Sequence, residues 1–348
     1  MIVRVSEGLL ERLDRGPVIC AEGYLFELER RGYLQAGAFV PEVVLDHPEV
    51  VAQLHRDFVH AGSDVVEAFT YYAHREKMRI VGKEHLLEEL NRRALAIAKE
   101  VADESDTLFA GDICNTNVYT DDAESKKTVR AMFEEQVGWA SDAGVDFVIA
   151  ETFSHVDEAL LALDVIKQAG FPAVVTMIAH QADTTRDGLG FGEACKRLED
   201  AGADVVGLNC GRGPETLLPL LREVREAVSG HVAALPVPYR THEHQPSFQS
   251  LREANGKELP DGMPFPTALD PFTCNRYEIA QFARDANELG VGYIGLCCGA
   301  APHHVRSLAE ALGRTPPGSR YSPDMSKHAY FGTDKSLKAE NREFAEEL

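Results

Sequence analysis

DAGVDFVIAE, residues 142–151, ends a helix and opens a strand with only a small turn between them. The same phrase recurs as HAGSDVVEAF (60–69), EDAGADVVGLN (199–209) and ELGVGYIGLC (288–297). Each places a glycine where a helix needs a left-handed C-cap, then a short apolar run of the kind buried in a parallel sheet. Working outward from these phrases gives strands at 18–20, 64–69, 107–111, 147–151, 173–178, 205–209, 232–236 and 293–297. Apolar residues at three- and four-residue spacing predict helices at 48–60, 84–103, 127–143, 156–169, 191–201, 216–228, 276–289 and 302–312. Eight strands alternating with helices predict a (β/α)8 TIM-type barrel over residues 1–313. A doubly wound open sheet is the alternative, but no glycine-rich dinucleotide fingerprint follows residues 18–20.

Two segments break the alternation. Residues 238–271, rich in proline, histidine and polar side chains, are too long for an ordinary strand–helix loop and predict a functional excursion. Residues 314–348 form a tail that reads either as an arm packing on another subunit, which would make a homo-oligomer, or as a frayed end.

The chain has 348 residues, 44% of them hydrophobic, enough for one large core. Its 35 basic and 56 acidic residues give a net charge of −21, which argues against nucleic-acid and membrane-surface partners. No apolar run approaches the roughly 20 residues that span a bilayer, and residues 1–13 lack a secretory apolar region. A cytoplasmic location is the expectation. Seven cysteines spread along such a chain fit core packing, metal binding or catalysis better than a disulfide framework.

In a barrel the reacting groups gather where the strands end at the C-terminal face. Cys210 follows the sixth strand in VVGLNCGRGP, and Cys297 and Cys298 end the eighth in YIGLCCGAAP. Glu151 ends the fourth, and Tyr71 and Tyr72 follow the second. Gly211 and Gly299, each after a cysteine, suit tight turns and close backbone approach to a ligand. Three thiolates fit Zn²⁺ and leave a fourth tetrahedral position open for a substrate thiol. A vicinal cysteine pair alone also reads as core filling; its meeting with Cys210 at one barrel face favours the metal. Cys20, Cys114, Cys195 and Cys274 lack such company and are read as non-ligands.

GLNCGRGP (207–214) and YIGLCCGAAPHHVRSLAEAL (293–312) resemble the two zinc motifs of the homocysteine S-methyltransferase family, especially its betaine-dependent members. GLLERL, LFELERRGYLQAG, HPEVVAQLHRDFVHAGSDVVEAFTYYA and DFVIAETFSHVDEA extend the resemblance over about residues 8–312. It implies a barrel, a zinc site on Cys210, Cys297 and Cys298, homocysteine as methyl acceptor and methionine as product. It also implies that Glu151 binds the acceptor's ammonium group, with N-capping or a salt bridge as its ordinary alternative. Tyr72 would stand beside the methyl donor, and Phe39 where the betaine-dependent enzymes carry tryptophan. Both aromatic rings also suit plain packing, but at the mouth they can hold an onium donor by cation–π attraction. Candidates for that donor are glycine betaine, dimethylsulfoniopropionate and S-methylmethionine.

The sequence departs from the family after its first strand. VICAEGYLFELE (18–29) has Ala21 and Glu22 where the family has Asp-Gly. Either Glu22 supplies the carboxylate from the next position, or the pocket takes another thiol. Thr152 also replaces a tyrosine able to reach the metal, and the tail is shorter than the betaine-dependent enzymes' dimerisation arm. A protein that captures a thiol on zinc without turnover is the rival from another class.

Overall fold

The structure is a computed structural model that describes residues 7–252, 262–338 and 342–348. Parts of the excursion (253–261), of the tail (339–341) and of the N-terminal stretch (1–6) therefore lie outside the described residues. Eight parallel strands close into a barrel in sequence order: β1 (Val18–Ala21), β2 (Val65–Glu67), β3 (Leu108–Cys114), β4 (Phe147–Phe153), β5 (Ala173–Met177), β6 (Val205–Asn209), β7 (His231–Leu235) and β8 (Tyr293–Leu296). The principal helices between and after them are α1 (Pro48–Ala61), α2 (Leu87–Ser105), α3 (Ala123–Ala143), α4 (Val156–Gln168), α5 (Phe191–Asp200), α6 (Pro214–Ala227), α7 (Arg276–Glu288) and α8 (Pro302–Ala311). The expected (β/α)8 barrel is the observed one.

The recurring phrase has a local physical basis. Gly62, Gly144, Gly202 and Gly290 all take positive φ between a helix and the next strand. In three of the phrases the aspartate that follows ties down the strand alongside. Asp64, Asp146 and Asp204 accept hydrogen bonds from the backbone N–H of Ile19 (2.8 Å), Phe109 (2.7 Å) and Ala173 (2.8 Å). Those N–H groups stand at or just inside the starts of β1, β3 and β5, so the aspartates fix the end of the barrel opposite the site.

Where the expected boundaries moved, the cause is visible. The third strand runs three residues past its expected end, because Asp112 reads as a loop residue yet is buried in the barrel. The fourth continues past Glu151 to Phe153 through a register shift between Ala150 and Phe153. α3 starts at Ala123 rather than 127: its first turn carries no apolar stripe, and Asp122 caps it by accepting from Glu124 N and Ser125 N.

The period of two along each strand sorts the interior into layers. Phe147 and Tyr293 meet edge to face at 6.4 Å and form the floor. Two and four residues further along the same strand faces come Cys20, Glu22, Glu67, Asp112, Glu151, Asn209 and Cys297, nearer the mouth. The beginning of the tail is anchored: Arg314 pairs with Asp64 and donates to the Pro17 carbonyl. Tyr321, Met325 and Phe331 beyond it are exposed.

Candidate active site

The sulfurs of Cys210, Cys297 and Cys298 all lie within 4.8 Å of one another. Three sulfurs about 2.3 Å from one tetrahedral ion stand about 3.8 Å apart, so sulfurs this close could hold a metal ion after small side-chain movements. Hydrogen bonds from the Cys297 and Cys298 thiols hold the Cys210 thiol well below its ordinary pKa. Cys297 is pushed up chiefly by burial, and Cys298 chiefly by its hydrogen bond to Cys210.

The backbone brings the cluster together at a conformational cost. Cys210 has φ +56° and is followed by Gly211 at φ +67°, where a Cβ would lie 2.4 Å from the Ala179 carbonyl oxygen. Gly299, at φ +95°, lies so close to Tyr239 that a Cβ would come within 2.3 Å of its hydroxyl. Gly299→Ala is therefore expected to cost about 2–6 kcal/mol from backbone strain and overpacking together. Chemical denaturation and metal content should both register it. Gly138→Ala, in open space on helix α3, should leave both intact or gain about 0.5–1 kcal/mol.

Strain marks the rest of the mouth too. Among the described residues six non-glycine positions have positive φ, and five of them, Phe39, Tyr72, Asn117, Thr152 and Cys210, line one cavity above the sulfurs. Bulky aromatic side chains take this conformation only where surroundings over-determine it, and such positions gather at functional sites. Cys114 helps to hold Tyr72, its sulfur accepting from the Tyr72 N–H at 3.3 Å. The cavity encloses about 230 Å³. Phe26, Phe248 and Phe265 line it together with Phe39 and Tyr72, Phe26 lying 5.6 Å from Phe39 and Phe248 5.0 Å from Phe265. The excursion at 238–271 thus supplies two aromatic walls, which sequence reasoning placed near function without naming them. Arg212, from the GLNCGRGP motif, is buried and donates to the carbonyls of His180, Gln181 and Ala182, pinning the loop after β5 beside the mouth.

Beneath the sulfurs lies a smaller chamber of about 20 Å³, lined by Glu22, Glu67, Asp112 and Glu151 as well as the three cysteines. Glu22, which replaces the family glycine, does face this chamber; Ala21 is buried on the opposite strand face. Glu67 and Asp112 went unnoticed in the sequence, although each sits at an inward strand position. Asn209 also went unnoticed, despite standing beside Cys210. It donates to Glu151 Oε2 at 2.5 Å, to Thr152 Oγ1 at 3.0 Å and, more weakly, to Glu22 Oε2 at 3.4 Å. Thr152 Oγ1 donates to the same Glu151 oxygen at 2.8 Å. Burial pushes Glu151 up to about 7, and those two donated bonds restrain the rise. Glu22, Glu67 and Asp112 are raised well above the carboxylate range, first by burial and then by one another or Glu151. Of the cysteines set aside, Cys195 lies on the buried face of helix α5 with its sulfur 3.8 Å from the Gly207 carbonyl oxygen. Cys20 has come near Glu22 and Glu67 rather than the sulfur cluster.

The homocysteine S-methyltransferase family model matches residues 20–312. The chain belongs to this family. It is 39% identical over 343 residues to betaine–homocysteine S-methyltransferase 1 of Xenopus tropicalis, covering 94% of this chain and 80% of that protein. It is 38% identical over 334 residues to an S-methylmethionine–homocysteine S-methyltransferase of Rattus norvegicus, covering 95% and 87%. Among solved structures, the metallated form of the homocysteine methyltransferase MmuM from Escherichia coli superposes with a TM-score of 0.67 at 17% identity, over 86% of this chain and 98% of that one. That likeness supports the fold, and the family membership makes the chain a methyltransferase.

Proposed function

We propose that the chain moves a methyl group from a small onium donor to a thiol bearing an ammonium group, with zinc held by Cys210, Cys297 and Cys298. The observation that carries this reading is the convergence of three sulfurs between an aromatic mouth and a carboxylate chamber. Homocysteine is the acceptor in the relatives' names, which would make methionine the product; betaine and S-methylmethionine are the donors named there. A free thiol has a pKa near 8.5, and zinc, when bound, lets an acceptor thiol lose its proton at neutral pH.

The side chains supply position. Phe39 and Tyr72 hold the donor's cationic methyl face by cation–π attraction, about 0.5–2 kcal/mol per ring. Glu151, oriented by Thr152 and Asn209, takes the acceptor's ammonium, with Glu22 beside it. The acceptor sulfur then attacks the methyl carbon in line. The bond from that carbon to the onium nitrogen or sulfur breaks, and its electron pair leaves on a neutral amine or sulfide, so no general acid is required.

Residues 1–313 form the methyltransferase unit on this reading, and 314–348 an arm toward a second copy, through exposed Tyr321, Met325 and Phe331. Removing 314–348 without changing the oligomeric state would discard the arm. Among the described residues no helix is long and apolar enough to cross a membrane, in keeping with a cytoplasmic enzyme.

The test joins metal analysis to a donor panel. Purified protein should carry about one zinc per chain, and glycine betaine, dimethylsulfoniopropionate or S-methylmethionine should methylate a thiol. Protein that neither retains nor takes up zinc, or that transfers from none of these donors to any thiol, would end this reading.

A further inference from the structure

The aromatic mouth has a second, polar side. The strands close in the order β1 to β8, so the segments that follow β1 and β5 face each other across the mouth. Phe26 and Phe39, between β1 and α1, supply an apolar wall of the cavity, while His180 and Arg186, between β5 and α5, supply a polar one. Among the described residues, Arg186 is the one lysine or arginine that lines the cavity. The one carboxylate in the lining, Glu158, is 2% exposed and already accepts from the Thr116 N–H at 2.8 Å and the Thr116 hydroxyl at 2.6 Å.

The backbone that carries Arg186 is tied down on both sides. The Arg186 N–H donates to the Ser154 carbonyl at 2.8 Å, just past the end of β4. Asp187 accepts from the Val156 N–H, at the start of α4, at 2.9 Å. Asp183 pairs with the buried Arg212 at 2.7 Å. The Arg186 side chain, by contrast, is exposed at the rim, and no acceptor among the described residues takes its guanidinium. In a chain of net charge −21, a rigid loop thus presents an unpaired N–H fork to whatever enters the mouth. That fork matches a carboxylate through two parallel charge-assisted bonds, which add direction as well as energy.

We infer that Arg186 selects the methyl donor: its guanidinium takes a carboxylate on the donor, across the mouth from the Phe39 ring that holds the onium methyl groups. The inference rests on the methyl-transfer reading above and narrows its donor to onium carboxylates, as against onium cations that carry no anionic group. Anchors on two sides of the mouth fix the donor's long axis relative to the sulfurs, and so the line along which the methyl carbon is attacked. Ring contacts alone leave a compact onium free to turn.

Initial rates with homocysteine and three donor pairs test this: glycine betaine against tetramethylammonium, dimethylsulfoniopropionate against trimethylsulfonium, and S-methylmethionine against its methyl ester. In the wild-type protein kcat/KM should favour the carboxylate in each active pair about tenfold or more. That is the low end for a hydrogen bond to a charged group, as suits an arginine that water partly screens. Arg186→Gln should close most of that gap, acting through KM rather than kcat, while zinc content stays constant. Arg186→Lys, which keeps the charge and loses the fork, should recover part of it. Carboxylate-free donors that match their partners in the wild-type protein, a comparison that needs no variant, would overturn the inference and leave methyl transfer standing. So would a preference that Arg186→Gln does not reduce, or a variant that loses both members of a pair equally, the mark of a merely structural role. Transfer from none of these donors would remove the methyl-transfer reading and this inference with it.

Discussion

Cys210→Ala should strip the metal and reduce methyl transfer about 10³-fold or more. The estimate follows from the several kcal/mol that a catalytic metal contributes, at 1.36 kcal/mol per decade of rate. Cys297→Ala and Cys298→Ala should behave alike, because two sulfurs leave the ion half solvated and mobile. Emission spectrometry of the purified variants gives the metal content, and initial rates with excess donor give the activity. Cys195→Ala is the control: its sulfur lies on the buried face of helix α5, where burial pushes the thiol up to about 12, and the variant should keep full zinc. Near-stoichiometric zinc in all three cluster variants would dismiss the metal centre, and with it the reason for three converging sulfurs.

The barrel was legible because its signal is repeated. Each glycine-to-strand phrase says little alone, but four of them at barrel spacing agree with one another and with the helical stripes between. The sulfur cluster was legible for a related reason: a cysteine seen at the same place on two strands points to one mouth. Glu67 and Asp112 were not legible. In VVEAF the glutamate reads as the outward residue of an alternating strand, and in AGDIC the aspartate reads as the first loop residue past the strand. Only barrel closure shows that both positions face inward. Phe248 and Phe265 escaped for another reason, since nothing local in an irregular excursion says which aromatic ring folds back over the mouth. Asn209 stood beside Cys210, yet its hub of hydrogen bonds joins residues up to 187 positions apart in sequence, which no local pattern records.

Glu151→Gln should weaken binding of the acceptor by about 2–5 kcal/mol, the usual cost of truncating one partner of a desolvated charge pair. At 1.36 kcal/mol per decade that is a loss of about 30-fold to several thousand-fold in affinity. The substitution is nearly isosteric, and Asn209 and Thr152 can still donate to the remaining oxygen, so the zinc should stay and propane-1-thiol should bind as before. Glu22→Ala should do less harm to the ammonium, because Glu22 is held by one long 3.4 Å contact whereas Glu151 takes bonds of 2.5 and 2.8 Å. Binding constants for an aminothiol across the two variants, with zinc quantified in each, decide the order. An acceptor indifferent to Glu151→Gln but lost in Glu22→Ala would place the ammonium on the first strand instead, and would make the Glu22 carboxylate that replaces the family glycine the main anchor of the pocket.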